Sequence, residues 1–227
     1  MKISYRSFLT SRRDRLVLGL SSGVDSVAAL HFLTKHHKNI TVFHFNHKLR
    51  PQNDVMETNA RRLAAKLGLE IIVATADEFP LVSSTSQEAA ARDARLNALE
   101  KYLPEKDIIL CHHLGDAMES YLNRCFLGTL CAGSYYTIPP STTFPRFRLI
   151  RPFLQTTKKN FQEYCESHSL MSYVVEDQTN SDIRFRRNFL RHKVIPLLNE
   201  KWNGLEKVVL KKVAQDYQFC LNLEQSK

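Results

Sequence analysis

Short apolar runs alternate with longer amphipathic stretches through the first half of the chain. Leu16-Val17-Leu18-Gly19-Leu20, Ile40-Thr41-Val42-Phe43-His44-Phe45, Glu70-Ile71-Ile72-Val73-Ala74 and Asp107-Ile108-Ile109-Leu110-Cys111 each have the length and composition of a buried strand. Stretches of helical spacing lie between them. The first follows Ser21-Ser22-Gly23 and carries Val27, Leu30 and Leu33. The second runs to Leu67, with Asn53 as candidate cap and Gly68 as its stop. The third opens on the capping-box pattern Thr85-Ser86-Gln87-Glu88 and ends before Pro104. This alternation predicts an α/β fold with a doubly wound, mainly parallel, five-stranded sheet and right-handed crossovers. Ligands of such sheets collect at the carboxyl ends of the strands.

Beyond the fourth strand the pattern loosens. Gly128 to Pro145 is rich in Gly, Ser, Thr and Pro and reads as a loop whose ordering could await a substrate. Leu149 to Leu154 is again apolar, a helix is predicted from near Thr156 to Ser167, and Tyr173-Val174-Val175 reads as a short edge strand. In Arg184 to Lys193, RFRRNFLRHK, Phe185 and Phe189 stand one turn apart among six basic residues. The spacing predicts an amphipathic helix that docks its aromatic rings and projects Arg184, Arg187 and Arg191 toward phosphates or single-stranded bases. Pro196 closes that stretch. The expected organisation is one main domain over residues 1–195 and a short helical C-terminal tail over 196–227, without a separate further domain.

Composition narrows the picture. The 227 residues carry a formal net charge of +9, which suits a polyanionic partner. No apolar run is long enough for a membrane span, and the basic N-terminus lacks the apolar segment of a secretory signal, so a cytoplasmic protein with no membrane partner is expected. Five cysteines without a CxxC pair fit reduced thiols better than a zinc or iron–sulfur site.

The candidate chemistry gathers at strand ends. Ser21-Ser22-Gly23-Val24-Asp25-Ser26 joins a strand to a helix N-terminus, where backbone N–H groups, hydroxyls and the helix dipole favour an anion. An ordinary capped turn satisfies the same pattern, with Ser or Asp as N-cap. Arg92 and Arg95 share a helix face and reach either solvent or an anion. His112-His113-Leu114-Gly115-Asp116 follows the fourth strand. Its residues suit a magnesium–nucleotide or acid–base site, or a helix capped by Asp116 with Glu119 three residues on.

Taken in order, these blocks resemble those of the PP-loop ATP pyrophosphatases, and among them the tRNA(Ile)-lysidine synthetases. SSGVDS resembles the SGGxDS loop, and Asn46 to Arg50 the NHxLR block. Ala91 to Arg95 is similar to ARxxRY, and Cys111 to Ser120 to AHHxDDQxET. Ile150 to Leu154 looks like RPLL, Glu176 to Asn180 like EDxTN, and Arg187 to Arg191 like RNxiR. Three departures stand out: Ser22 for the first glycine, Gly115 for the first aspartate, and Leu127 where arginine is common.

The resemblance implies a ligase that adenylates C2 of the wobble cytidine of a tRNA(Ile) with a CAU anticodon. Free L-lysine then displaces AMP to give lysidine, with ATP and Mg2+ as cofactors. It implies phosphate binding by Ser21, Ser22, Gly23, Val24, Asp25 and Ser26, and magnesium held by Asp25 and Asp116. It further implies catalytic roles for Asp25, Arg92, His112, Asp116 and Arg187, and tRNA contacts from Arg184, Arg187 and Arg191. A homodimer is compatible with this reading. The alternatives are a tRNA-binding relative with weakened catalysis, a tRNA 2-thiolation enzyme, and a PP-loop enzyme acting on a small metabolite.

Overall fold

The computed structural model describes residues 3–6, 15–82, 86–131, 133–176, 181–202 and 204–225. Thr85 of the expected capping box, the Glu88 side chain, and Asp177 to Asn180 lie outside the described residues.

Six strands form one sheet: β1 (Leu16–Gly19), β2 (Ile40–Asn46), β3 (Ile71–Thr75), β4 (Lys106–Ile109), β5 (Ser141–Thr143) and β6 (Phe147–Ile150), in the order β3-β2-β1-β4-β6-β5. All pairs are parallel except the last, in which Ser141 opposes Ile150 on the sheet edge. The sixth strand is a correction to the expected five. β5 lies inside the stretch read as loop, because three residues of Ser and Thr carry too little apolar signal to mark a strand. Conversely, Tyr173 to Val175 is not a strand. Met171–Tyr173 is a single 3-10 turn, and the Val175 N–H donates to the Ser22 carbonyl at 2.9 Å.

Alternation along β1 divides the core in two. Leu16 and Leu18 face a large cluster built with α1 (Val24–Thr34), α2 (Pro51–Lys66), α4 (Leu114–Phe126), α5 (Lys158–Ser167) and α8 (Leu205–Gln225). Val17 faces the other side, where α3 (Gln87–Tyr102) packs Ala94, Ala98 and Leu99 onto Phe43, Ile108 and Leu149. Among the described residues no helix is long and apolar enough to cross a membrane.

Three helix starts differ from expectation, each for a hydrogen-bonding reason. α2 begins at Pro51, whose missing N–H costs nothing in a first turn. Asn53 sits inside that turn, its Oδ1 accepting from Leu49 and Arg50 N–H at 3.1 Å each. Ser86 caps α3, accepting from Ala89 N–H at 3.1 Å, one residue beyond the expected start. α4 is capped by His113, and Asp116 is its third residue.

The C-terminal residues join the main core. A short helix α6 (Arg186–Phe189) passes through a wide π turn, Leu190–Val194, into α7 (Ile195–Trp202), so the helical path runs straight across residues 195 and 196. α8 buries Val209, Val213, Tyr217 and Cys220. Its Asp216 carboxylate accepts from Tyr136 N–H at 2.7 Å, and from Thr137 N–H and hydroxyl at 2.8 and 2.7 Å. That clamp ties Tyr136 and Thr137, in the middle of the Gly128 to Pro145 segment, to α8. Tyr217 donates its hydroxyl hydrogen to the Arg151 carbonyl at 2.8 Å and accepts from Leu154 N–H at 3.2 Å.

Candidate active site

The chain leaves β1 toward β2 on one side and returns to β4 on the other. The carboxyl ends of β1 and β4 therefore flank the crevice at the reversal of strand order, where open α/β sheets bind ligands. A cleft of about 820 Å³ lies there. Ser21, Gly23, Val24, Asp25, Arg95, His113, Asp116, Arg187 and Arg191 line it.

The loop after β1 is held by its own hydroxyls. Ser26 Oγ donates to the Gly23 carbonyl at 2.9 Å and accepts from Ser21 N–H at 3.2 Å. His44, buried on β2, hydrogen-bonds the Leu20 carbonyl through Nδ1 at 2.7 Å and fixes the loop's entry. Ser22 has φ +59°, a left-handed conformation that explains why glycine suits this position in SGGxDS loops. Its hydroxyl offsets part of that strain by donating to the Met56 carbonyl at 2.7 Å. Ser22 and Ser26 are thus buried scaffolding, while Ser21, Gly23, Val24 and Asp25 face the cleft. Gly23 is the N-cap of α1, and no side chain caps that helix. The loop ends on an unblocked helix N-terminus, the electrostatic feature that accepts phosphate.

The loop after β4 is closed by side chains. His113 Nδ1 accepts from Asp116 N–H at 3.2 Å, and Asp116 Oδ2 accepts from His113 N–H at 2.8 Å. With Nδ1 accepting, the ring N–H falls on Nε2, which faces Asp25 Oδ2 at 3.9 Å. Gly115 makes this possible: a Cβ there would lie 2.7 Å from His113 Cε1. The glycine that departs from the family's DD pair is the one the ring leans over.

Asp116 and Glu119 are both buried and hold two arginines. Arg187 Nε donates to Glu119 Oε2 at 2.6 Å and its Nη2 to Asp116 Oδ1. Arg191 Nε donates to Glu119 Oε1 at 2.5 Å and its Nη2 to Asp116 Oδ1 at 3.0 Å. This corrects the expected orientation of the basic helix. Phe185 and Phe189 are 43% and 46% exposed, while the half-exposed Arg187 and the more buried Arg191 both reach the carboxylates. Two buried anions on α4 outweigh two aromatic rings in deciding which face docks, because unpaired charge is costlier to bury than a ring is to expose. Arg184 alone projects as expected, 88% exposed and paired with Asp182 at 2.7 Å.

The two carboxylates flanking His113 are tuned apart. Burial raises the Asp25 pKa, the His113 imidazole opposes that less strongly, and Asp116 adds to it. Burial would raise Asp116 too, but His113, Arg187 and the His113 N–H hold it well below the usual carboxylate range. Asp25 Oδ1 is buried without a hydrogen-bond partner. Two carboxylates and an orphaned oxygen facing a phosphate loop suit a magnesium ion, which takes one or two protein carboxylates and fills its shell with phosphate oxygens and water.

The remaining expected residues lie elsewhere. His112 is outside the cleft lining, and burial brings its pKa down to about 3, so it is neutral near pH 7. Arg92 is exposed on α3, one turn before the cleft-lining Arg95. The sequence places both imidazoles at this edge but gives the catalytic role to His112, and it carries no signal for Glu119 or Lys158 as parts of the site. Lys158 opens α5 at the cleft and acts electrostatically on Asp25. The adjacent His112-His113 pair contained the signal, but only the helix cap decides which ring faces inward.

The chain is similar to known proteins in sequence and in fold. Residues 2–198 match the PP-loop domain. tRNA(Ile)-lysidine synthase of Legionella pneumophila (strain Lens) is 32% identical over 214 residues, covering 92% of this chain and 48% of that protein. The enzyme of the same name from Actinobacillus pleuropneumoniae serotype 3 is 28% identical, covering 97% of this chain and 50% of its own length. The chain thus spans about half the length of the curated relatives it matches. The U34-tRNA thiolase NcsA from Methanococcus maripaludis superposes with a TM-score of 0.70 at 14% identity, over 88% of this chain and 70% of that one, a likeness of fold.

Proposed function

On the premise that this chain belongs to the PP-loop family, we propose that it binds ATP in the cleft between the β1 and β4 loops and modifies the wobble cytidine of a tRNA(Ile) with a CAU anticodon to lysidine. The observation that carries this is the pairing of an uncapped helix N-terminus with Asp25, whose Oδ1 is buried and unpartnered. The relatives named tRNA(Ile)-lysidine synthase support the choice of substrate.

In this reading the N–H groups at the start of α1 and the Ser21 hydroxyl hold the β and γ phosphates, with Ser22 and Ser26 fixing the loop. Asp25 and Asp116 would hold magnesium, which when bound neutralises phosphate charge. Attack of the cytidine C2 oxygen on the α phosphate releases pyrophosphate, and the lysine amine then attacks C2 and expels AMP. Arg187 and Arg191 exchange Asp116 for anionic oxygens of the adenylate or tRNA, stabilising charge as it develops. Proton handling falls to His113, whose Nε2 faces Asp25, rather than to His112. Arg184 contacts the polynucleotide backbone, and the exposed Phe185 and Phe189 rings offer stacking faces to unpaired bases.

The test is ATP-dependent incorporation of labelled lysine into a tRNA(Ile) transcript with CAU, with tRNA(Met), also CAU, as control. Lysine-dependent AMP release on tRNA(Ile) alone is the expected result. Binding of tRNA without pyrophosphate release would replace this reading with that of a binding protein.

A further inference from the structure

The turn that leaves β2 is built around one amide side chain. Asn46, the last residue of β2, is 1% exposed at the wall of the cleft. Its Nδ2 donates to Asp54 Oδ1 and to Glu57 Oε2, both at 2.8 Å, and its Oδ1 accepts from Lys48 N–H at 2.9 Å. Carboxylates only accept and a backbone N–H only donates, so these partners call for a side chain that does both. Lys48 and Asn46 lower the Asp54 carboxyl, and burial, which would raise Glu57, is outweighed by Asn46 and Arg61. Aspartate at position 46 would set three carboxylates together, and an apolar residue would deprive the Lys48 N–H of its acceptor.

That last hydrogen bond holds a conformation that a lysine does not favour. Lys48 has φ +52°, in the left-handed region. Further contacts fix the turn around it. Lys48 Nζ reaches Asp54 Oδ1 at 2.6 Å, and Asn53 Oδ1 accepts from the N–H groups of Leu49 and Arg50. His47 packs edge-on against Phe45, with ring centroids 4.8 Å apart. Backbone strain persists where its surroundings over-determine it, and it collects where a site depends on the resulting shape.

Here the shape belongs to the cleft, which His47, Leu49 and Arg50 all line. Arg50 is exposed. Arg184 first, and Arg50 after it, lower the Asp182 carboxyl, so Arg50 faces the chain that leads into α6. The turn is the lip of the cleft opposite α6, and His47, Lys48 and Arg50 make that lip basic.

We infer that Asn46 is a positioning residue for the polynucleotide. By holding Lys48 left-handed it aims His47 and Arg50 across the mouth of the cleft at the backbone of the incoming strand, while the loop after β1 takes the nucleotide. This deepens the reading above and rests on it for the identity of the strand. α2, which carries Asp54 and Glu57, also supports the phosphate loop through the Met56 carbonyl. Nucleotide affinity therefore reports whether damage at Asn46 spreads beyond the lip.

The experiment compares Asn46→Ala, Lys48→Gly and the double variant with the unchanged full chain. Fluorescence anisotropy of a labelled tRNA(Ile) transcript with CAU gives polynucleotide affinity, calorimetry with α,β-methylene ATP gives nucleotide affinity, and turnover gives kcat and the KM for tRNA. Asn46→Ala should weaken tRNA binding and raise its KM about tenfold or more. Analogue affinity and kcat should stay within about twofold. Glycine takes the left-handed conformation without help, so adding Lys48→Gly to Asn46→Ala should recover most of the loss. Lys48→Gly alone, which removes a charge but keeps the turn, should weaken tRNA binding by about threefold or less.

Equal loss of tRNA and analogue affinity in Asn46→Ala would mark a residue that only supports the fold, and would overturn the inference. Unchanged tRNA binding, or a loss that Lys48→Gly does not repair, would overturn it as well. Arg50→Gln, at an exposed position, keeps the test decisive if Asn46→Ala fails to fold. It should show the same tRNA-selective loss, and unchanged tRNA affinity there would overturn the inference. An unchanged chain that binds the analogue but no tRNA would overturn the substrate reading first, and this inference with it.

Discussion

The loops after β1 and β4 are neighbours with the same job of starting a helix at the sheet's carboxyl edge, and they do it in opposite ways. The first starts α1 from Gly23 without a side-chain cap and leaves Asp25 with an unpartnered oxygen. The second closes a reciprocal cap between His113 and Asp116 and adds two arginines to the same carboxylate. One end is left unsatisfied and suits an incoming anion and cation. The other is satisfied in advance, and its partners must be exchanged before it can bind anything. Poor local satisfaction marks where a ligand is needed, and full satisfaction marks what the ligand has to displace.

Breaking the satisfied end gives the largest effect. Asp116→Ala leaves Arg187 and Arg191 leaning on Glu119 alone and removes one of the two hydrogen bonds of the reciprocal cap. Turnover of ATP to AMP and pyrophosphate should fall by about 10²–10³-fold, and chemical denaturation should show a loss of about 2–3 kcal/mol. Gly115→Ala comes next. Its new Cβ would meet His113 at 2.7 Å and push the ring out of the cap. A loss of about 1–3 kcal/mol is expected, with activity reduced because His113 no longer faces Asp25.

The pKa contrast between the two carboxylates sharpens the comparison. Asp25 is raised, so its ionisation costs the fold stability above its folded pKa, a cost that fades as pH falls toward the ordinary aspartate value of 3.8. Asp116 is lowered, so it contributes stability above 3.8 that is lost as pH falls below it. Asp25→Asn should therefore raise the urea midpoint at about pH 7 and lose that gain in acid. Asp116→Asn should lower the midpoint at about pH 7, with the deficit closing in acid. Midpoints that shift in the same direction for both variants at neutral pH would remove the distinction. The smallest effect belongs to the scaffold of the unsatisfied end. Ser22→Ala keeps the left-handed backbone but loses the bond to Met56, for about 1 kcal/mol, whereas Ser22→Gly should be nearly neutral because relief of backbone strain offsets the same loss.

The legibility of the chain follows the same division. Strands β1 to β4 and the loop after β1 could be read from sequence because they are local: apolar runs, small residues and a helix start within a dozen positions. β5 could not, since a three-residue polar strand exists only through its pairing with β6. The orientation of Arg187 and Arg191 was equally hidden. It depends on Asp116 and Glu119, about seventy positions earlier, and the spacing of Phe185 and Phe189 pointed the other way. The choice between His112 and His113 turned on a single backbone hydrogen bond.

The packing of α8 has a consequence for the order in which the molecule takes shape. Tyr217, through its hydroxyl, ties the chain just after β6, and Asp216 ties the segment before β5. A nascent chain therefore carries its central strands for some time before the piece that seals them has been synthesised. A polypeptide cut short before residue 216 would keep its phosphate loop yet expose the apolar seam under α8, the kind of surface on which partly made chains aggregate or engage chaperones.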